Sequence, residues 1–182
     1  QGVIVCLDAD SRCRPDYLLH IEQFFLRRPL CPAASIRFEY PIHGAEFEPE
    51  VYLAGISYEL QQRYLAAVKQ YVGASASGFL SHSAMAVRCR DYQSQDGISH
   101  RELNANLPLL HKWSASPHLG HIAETCITLS PRPTTGNDSV AGRAIKDALR
   151  RGGQFPTPPY PVLEVLQQEG IPHWEWMHIA QE

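Results

Sequence analysis

No two cysteines of the sequence form a C-x-x-C pair, and their total, five, is odd. Metal-finger spacing is therefore absent, and a secreted disulfide framework is not expected. Cys6, Cys13, Cys31, Cys89 and Cys126 read as reduced thiols of a cytoplasmic protein. A basic excess is missing too. Sixteen Lys and Arg against 19 Asp and Glu give a formal net charge of -3, which argues against a nucleic-acid partner. Basic residues are scattered or in short pairs such as Arg27-Arg28 and Arg150-Arg151, so no polybasic membrane patch forms. No apolar run approaches the length of a membrane span. No signal peptide opens the chain, and no internal repeat recurs.

What remains is the composition of an ordinary globular protein. The 182 residues, 44% hydrophobic and 19% charged, suffice for one domain with a real core. The chain enters an apolar strand almost at once after Gln1, which leads us to expect further chain upstream.

Residues 2 to 7 are continuously apolar and β-branched, the pattern of a strand covered on both faces. Pro15 suits a first helical turn. Leu18, Leu19, Ile21, Phe24 and Phe25 then follow at helical spacing, and Pro29 ends the helix. Residues 34 to 42 alternate and predict a second strand. A long helix is expected over 49 to 71, with Val51, Ala54, Tyr58, Leu65 and Val68 near one face. "GASASG" at 73 to 78 is a flexible break. A strand followed by a turn is expected over 84 to 92, a helix from about Asn106 to Trp113, and a strand over 121 to 129. The Pro-rich loop at 130 to 138 leads into a helix from Ser139 to about Arg151. The tail is a Pro-rich connector and a short helix. Strands alternate with helices, so the fold class is α/β.

The apolar opening strand stops on "DAD", Asp8-Ala9-Asp10. Ligands of open α/β sheets gather at the carboxyl ends of strands. The period of two places both carboxylates on one side. Two such groups repel unless a cation joins them. Their hard oxygens suit Mg²⁺ or Mn²⁺, ions that keep several waters and grip substrate phosphates. The bland alternative is a turn aspartate and a helix cap with no ligand.

"VIVCLDADSRCRPDYL" resembles the segment around the D-x-D motif of family 2 glycosyltransferases of the GT-A fold. In the same order, "SGFLSHSAMAVRCRDYQSQDGI" at 77 to 98 is similar to that family's acceptor-side segment. "LLHKW" at 109 to 113 resembles its E-D-F-Y-F-L-H-K-L helix, and "SPRPTTGNDSVAGRAI" at 130 to 145 an S-P-R segment of some bacterial members. The resemblance spans about residues 2 to 146. It implies a GT-A-like mixed sheet flanked by helices, a partial domain over 1 to 151, and a connector and helical tail over 152 to 182. It also implies a metal-dependent inverting transfer of sugar from a nucleotide-sugar to a glycan, lipid or other hydroxyl acceptor.

Asp10 is then the expected direct ligand of Mn²⁺ or Mg²⁺, with Asp8 nearer the ribose or sugar. Arg132 and Arg143 flank a Gly-containing loop that could close over a diphosphate, the equal alternative being ordinary surface arginines. His82 and His111 are the histidines to consider on the acceptor side, against the blander reading of helix-surface or core-satisfied side chains. Laying His111-Lys112 on the family's H-K puts Ala105 and Asn106 where its acid pair stands. An amide cannot take a proton, and losing a positioned base costs about 10²- to 10⁴-fold in rate. Glu102 and Asp96 are the possible substitutes, the blander reading of both being solvent-facing loop residues. The family's nucleotide-binding N-terminal half precedes its D-x-D strand, and only Gln1 precedes this strand. A missing N-terminal half is therefore expected.

Other candidates weigh less. His173, Trp174, Trp176 and His178 lie in the tail, where packing of the indole rings is the simpler account. Tyr40, Tyr52, Tyr58 and Tyr64 can stack on sugars, but their spacing favours the core for most. Two rivals stand beside the transferase. A haloacid-dehalogenase-like phosphatase also uses D-x-D after a strand, yet Ser11-Arg12 follows here and no later acidic pair appears. A catalytically impaired binding or scaffold domain is favoured by Ala105-Asn106.

Overall fold

Alternating apolar character sets the sheet. The computed structural model describes residues 2–71, 83–94, 118–135, 139–153, 155 and 168. In chain order they form β1 (Val3–Cys6), β2 (Arg12–Cys13), α1 (Tyr17–Arg27), β3 (Ala33–Glu39), α2 (Pro49–Tyr71), β4 (Met85–Arg88), α3 (Cys89–Ser94), β5 (Gly120–Thr128) and α4 (Val140–Arg150). Five strands make one mixed sheet in the order β1-β4-β3-β5-β2. β3 and β5 run parallel, and the other three pairings are antiparallel. The α/β class expected from the sequence is the observed class.

One sheet face carries Ala34, Ile36 and Phe38 of β3 with Ala86, Ile122 and Ile127, and it joins α1, α2 and α4 in a continuous core. From α1 come Tyr17, Ile21, Phe24 and Phe25. Burying each such ring or branched chain contributes about 1.5–3 kcal/mol. Leu18 and Leu19, counted toward that face in the sequence, are exposed instead. At 100° per residue Leu19 falls well away from the arc shared by 17, 21, 24 and 25, and Leu18 lies just outside its edge, beside Phe25. The opposite sheet face holds a smaller cluster of Ala33, Met85 and Val87, with Cys6, Tyr92 and Leu119 against it.

The long helix has the bounds expected of it, and Ala54, Leu65 and Val68 are buried along it. It is stitched to the end of β3 by polar groups. The Tyr40 N–H donates to Glu59 Oε2 at 2.7 Å, and Arg63 donates to the Phe38 carbonyl at 2.9 Å while pairing with Glu59. Tyr40 and Tyr52 are core residues. The Tyr52 hydroxyl also accepts the N–H groups of Glu46 and Phe47.

Several expectations need correction. β1 is not covered on both faces: its residues are only half-buried, and it lies at the sheet edge, paired with β4 alone among the described residues. β3 alternates only in its second half. Its first four residues are buried on both faces, because Ala34 and Ile36 enter the main core while Ala33 joins the smaller cluster opposite. Pro15 precedes α1 in a turn closed by the Tyr17 N–H on the Arg14 carbonyl. The turn expected after β4 is the short helix α3. All five cysteines are free. Among the described residues, no helix is long and apolar enough to cross a membrane.

Candidate metal and phosphate site

β1 ends at Cys6, so Asp8 and Asp10 stand beyond the strand. The Ser11 N–H donates to the Asp8 carbonyl at 3.0 Å, closing a turn over residues 8 to 11. The orientation of the two carboxylates is therefore set by a turn. The period-of-two argument fails because the backbone has already left the pleat. Both aspartates remain exposed.

Each has a different partner. Antiparallel pairing sets Cys6 opposite Met85, and continuing that register two residues brings Ser83 beside Asp8. The Ser83 hydroxyl donates to Asp8 Oδ2 at 2.6 Å. Asp10 Oδ2 lies 3.1 Å from an Arg132 guanidinium nitrogen. Residues from three separate sequence segments (β1's end, the approach to β4 and the Pro-rich loop) thus meet at one corner.

The loop that delivers Arg132 is clamped from both sides. Pro131 is fully buried. It packs on Gly55 of α2, where an added Cβ would come within 2.9 Å of the proline Cβ. On the other side is Gly142 in the first turn of α4. A Cβ there would lie 2.6 Å from Thr134 Cγ2 and 2.7 Å from the Arg132 carbonyl oxygen. The Thr134 N–H donates to the Gly142 carbonyl at 3.1 Å, and Ser139 caps α4 by accepting the Gly142 N–H at 2.9 Å. The described part of this loop is closely packed on both sides, and its Gly-containing stretch, expected to close over the diphosphate, lies outside the described residues. Arg143 sits in the same first turn, its N–H on the Ser139 carbonyl.

Tyr40, the residue after β3, packs edge-on against Tyr58 at 6.1 Å. Burial holds its phenol far above the ordinary tyrosine range. The negative charges of Asp8, Glu59 and Asp10 push the same way, as does Tyr58 once ionised. Burial likewise pushes Tyr58 up to about 12. Both phenols are therefore neutral at physiological pH.

Two carboxylates on an exposed turn fit a hard divalent cation that draws its remaining ligands from water and phosphate. Among the described residues, no group of three or more His, Cys, Asp or Glu side chains is placed to hold a metal unaided. Of the residues singled out in the sequence, Asp8, Asp10, Arg132 and Arg143 are described. His82, Asp96, Glu102, Asn106 and His111 lie outside the described residues. Sequence reasoning missed Ser83, whose only signal is the strand register, and the closeness of Tyr40 to the aspartates.

Comparison of the chain with protein-family models, with curated proteins and with solved structures found no match at the thresholds applied.

Proposed function

We propose that the chain carries the metal- and diphosphate-binding corner of a GT-A-like, family 2-type glycosyltransferase. Such an enzyme moves a sugar, with inversion, from a nucleotide-sugar to an acceptor hydroxyl. What supports this reading is the meeting of Asp8, Asp10 and Arg132 at the carboxyl end of β1. An acidic pair and a cation side by side suit a donor that brings a divalent metal on a diphosphate.

Asp10 and Asp8 would hold Mn²⁺ or Mg²⁺, which when bound supplies Lewis-acid stabilisation of the departing diphosphate. The chain's own residues do the rest. The Ser83 hydroxyl fixes the rotamer of Asp8. Arg132 adds a fork of donors suited to phosphate oxygens. The fixed arm under Arg132 keeps that charge near the leaving group without reorganisation at the moment of reaction. As the bond from the anomeric carbon to the diphosphate breaks, the acceptor oxygen bonds to the opposite face of that carbon. Its proton passes to a base, for which Glu102 and Asp96 are the candidates if Asn106 stands at the base position.

A second reading, a domain that binds donor without transferring, rests on Ala105-Asn106. The deciding assay offers a panel of uridine-, guanosine- and thymidine-diphosphate sugars with Mn²⁺, measuring donor binding, hydrolysis and transfer. The transferase reading expects turnover with at least one donor, reduced about 10²-fold or more in Asp10→Asn. Binding without turnover selects the second reading. If no donor binds, and Asp8→Asn and Asp10→Asn bind Mn²⁺ as the parent does, both readings fail.

A further inference from the structure

The two aspartates are kept in different ways. Asp8 has a neutral partner, the Ser83 hydroxyl, whereas Asp10 has a cation. The Arg132 and Asp10 side chains are 66% and 40% exposed, and a pair that open to solvent adds little to the fold. Yet the backbone at Arg132 is closely packed, pressed between Gly55 and Gly142 with Pro131 fully buried. A fixed arm therefore presents a solvated guanidinium to one oxygen of a candidate metal ligand. A divalent cation and a guanidinium on the same oxygen repel each other. Each therefore weakens the other's hold on Asp10.

Resting on the function proposed above, we infer that Arg132 is the resident counter-ion of Asp10 and is exchanged on ligand binding. The metal takes the Asp10 oxygen, and the freed guanidinium moves onto the diphosphate that accompanies the metal. Two consequences follow. Bare metal binds weakly, because it must displace Arg132 with nothing for the guanidinium to hold. Metal already on a diphosphate binds far better, because the displaced charge gains phosphate oxygens. The exchange makes metal and diphosphate binding positively coupled, and by linkage the coupling is reciprocal.

The test measures binding, with no turnover needed. Mn²⁺ alone is titrated by its electron-paramagnetic-resonance signal. The preformed Mn²⁺–pyrophosphate complex is titrated by calorimetry, for the parent chain and for Arg132→Ala, Arg132→Gln, Asp8→Asn and Asp10→Asn. Arg132→Ala and Arg132→Gln are expected to bind bare Mn²⁺ about 3- to 10-fold more tightly. They should bind the pyrophosphate complex about tenfold or more weakly. Bare Mn²⁺ affinity that is unchanged or lower in both arginine variants would overturn the exchange while leaving the metal site standing. Unaltered binding of both ligands in Asp8→Asn and Asp10→Asn would overturn the site and the exchange together.

Discussion

Two arginines divide the molecule's corners between them. Arg88, at the end of β4, is buried at 5% exposure and donates to three backbone carbonyls, those of Phe25, Arg28 and Cys31, at 2.6, 3.0 and 2.9 Å. Its guanidinium also stacks 4.9 Å from the Phe25 ring centroid. These carbonyls belong to the end of α1 and the turn after it, groups that a helix leaves without partners. Arg132 meets a carboxylate in the open. The same side chain therefore has two uses. Where its donors are matched to carbonyls away from water, the charge is committed to the fold. Where it pairs with a carboxylate in solvent, the charge is free to be traded.

The largest expected effect breaks the first half of this contrast. Arg88→Met fills much of the same volume but removes a donor from three carbonyls, of which, among the described residues, only that of Arg28 keeps another, the Cys31 N–H. Since a hydrogen bond to a charged group is worth about 1.5–3 kcal/mol net, a loss of about 3 kcal/mol or more is expected. Urea denaturation followed by circular dichroism measures it. Arg132→Ala in the same experiment should lose no more than about 1 kcal/mol. Equal losses for the two variants would erase the distinction between them.

A smaller effect tests the arm beneath Arg132. Gly55 lies inside α2, where exchange of Gly for Ala ordinarily stabilises a helix by about 1 kcal/mol. Here the new methyl would meet the Pro131 Cβ at 2.9 Å and the Tyr40 ring at 3.4 Å. Neither a proline ring nor a packed phenol yields cheaply, so Gly55→Ala is expected to lower stability by about 1 kcal/mol. A rise in the urea midpoint would mean that the arm moves aside easily. The contrast between a fixed arm and a tradable charge would then need revising.

Local signals carried the sequence reading where local physics decides the structure. α2 was legible to its bounds because the apolar period, Pro49 at its start and the small-residue run after Tyr71 all agree. The chemistry of Asp8, Asp10 and Arg132 was also readable, since residue type alone suggests a cation or a phosphate. Their meeting was not. It depends on where β5 delivers residue 132, and β5 accommodates a shift in register against β3 between Ile36 and Phe38. The two-residue strand β2 was equally hidden: Arg12 and Cys13 find Thr128 and Ile127 more than a hundred positions away. Ser83 became a partner of Asp8 only through the β1–β4 register. Long-range pairing, not propensity, built the corner.

The smallest effect concerns a third polar pair, set on the sheet between the buried and the exposed extremes. Ser35 of β3 and His121 of β5 are register partners, and Ser35 Oγ and His121 Nδ1 share a hydrogen bond of 2.9 Å. Partial burial pulls the imidazole below its ordinary value of 6.5. Glu124 opposes that shift, and Arg63 and Arg37 reinforce it. A folded-state value below the unfolded one means that, as pH falls past about 6.5, the unfolded chain takes up more protons than the folded chain. Stability due to His121 is thus fully present above that pH and is lost progressively below it. Urea midpoints of the parent chain and His121→Gln, compared at several pH values from about 7.5 down to 5, isolate this contribution. The difference between the two should be constant above pH 6.5 and should shift toward the variant below it. A difference that stays constant across the whole range would show that the imidazole titrates alike in both states, and the pair would then be as solvated as Arg132 and Asp10.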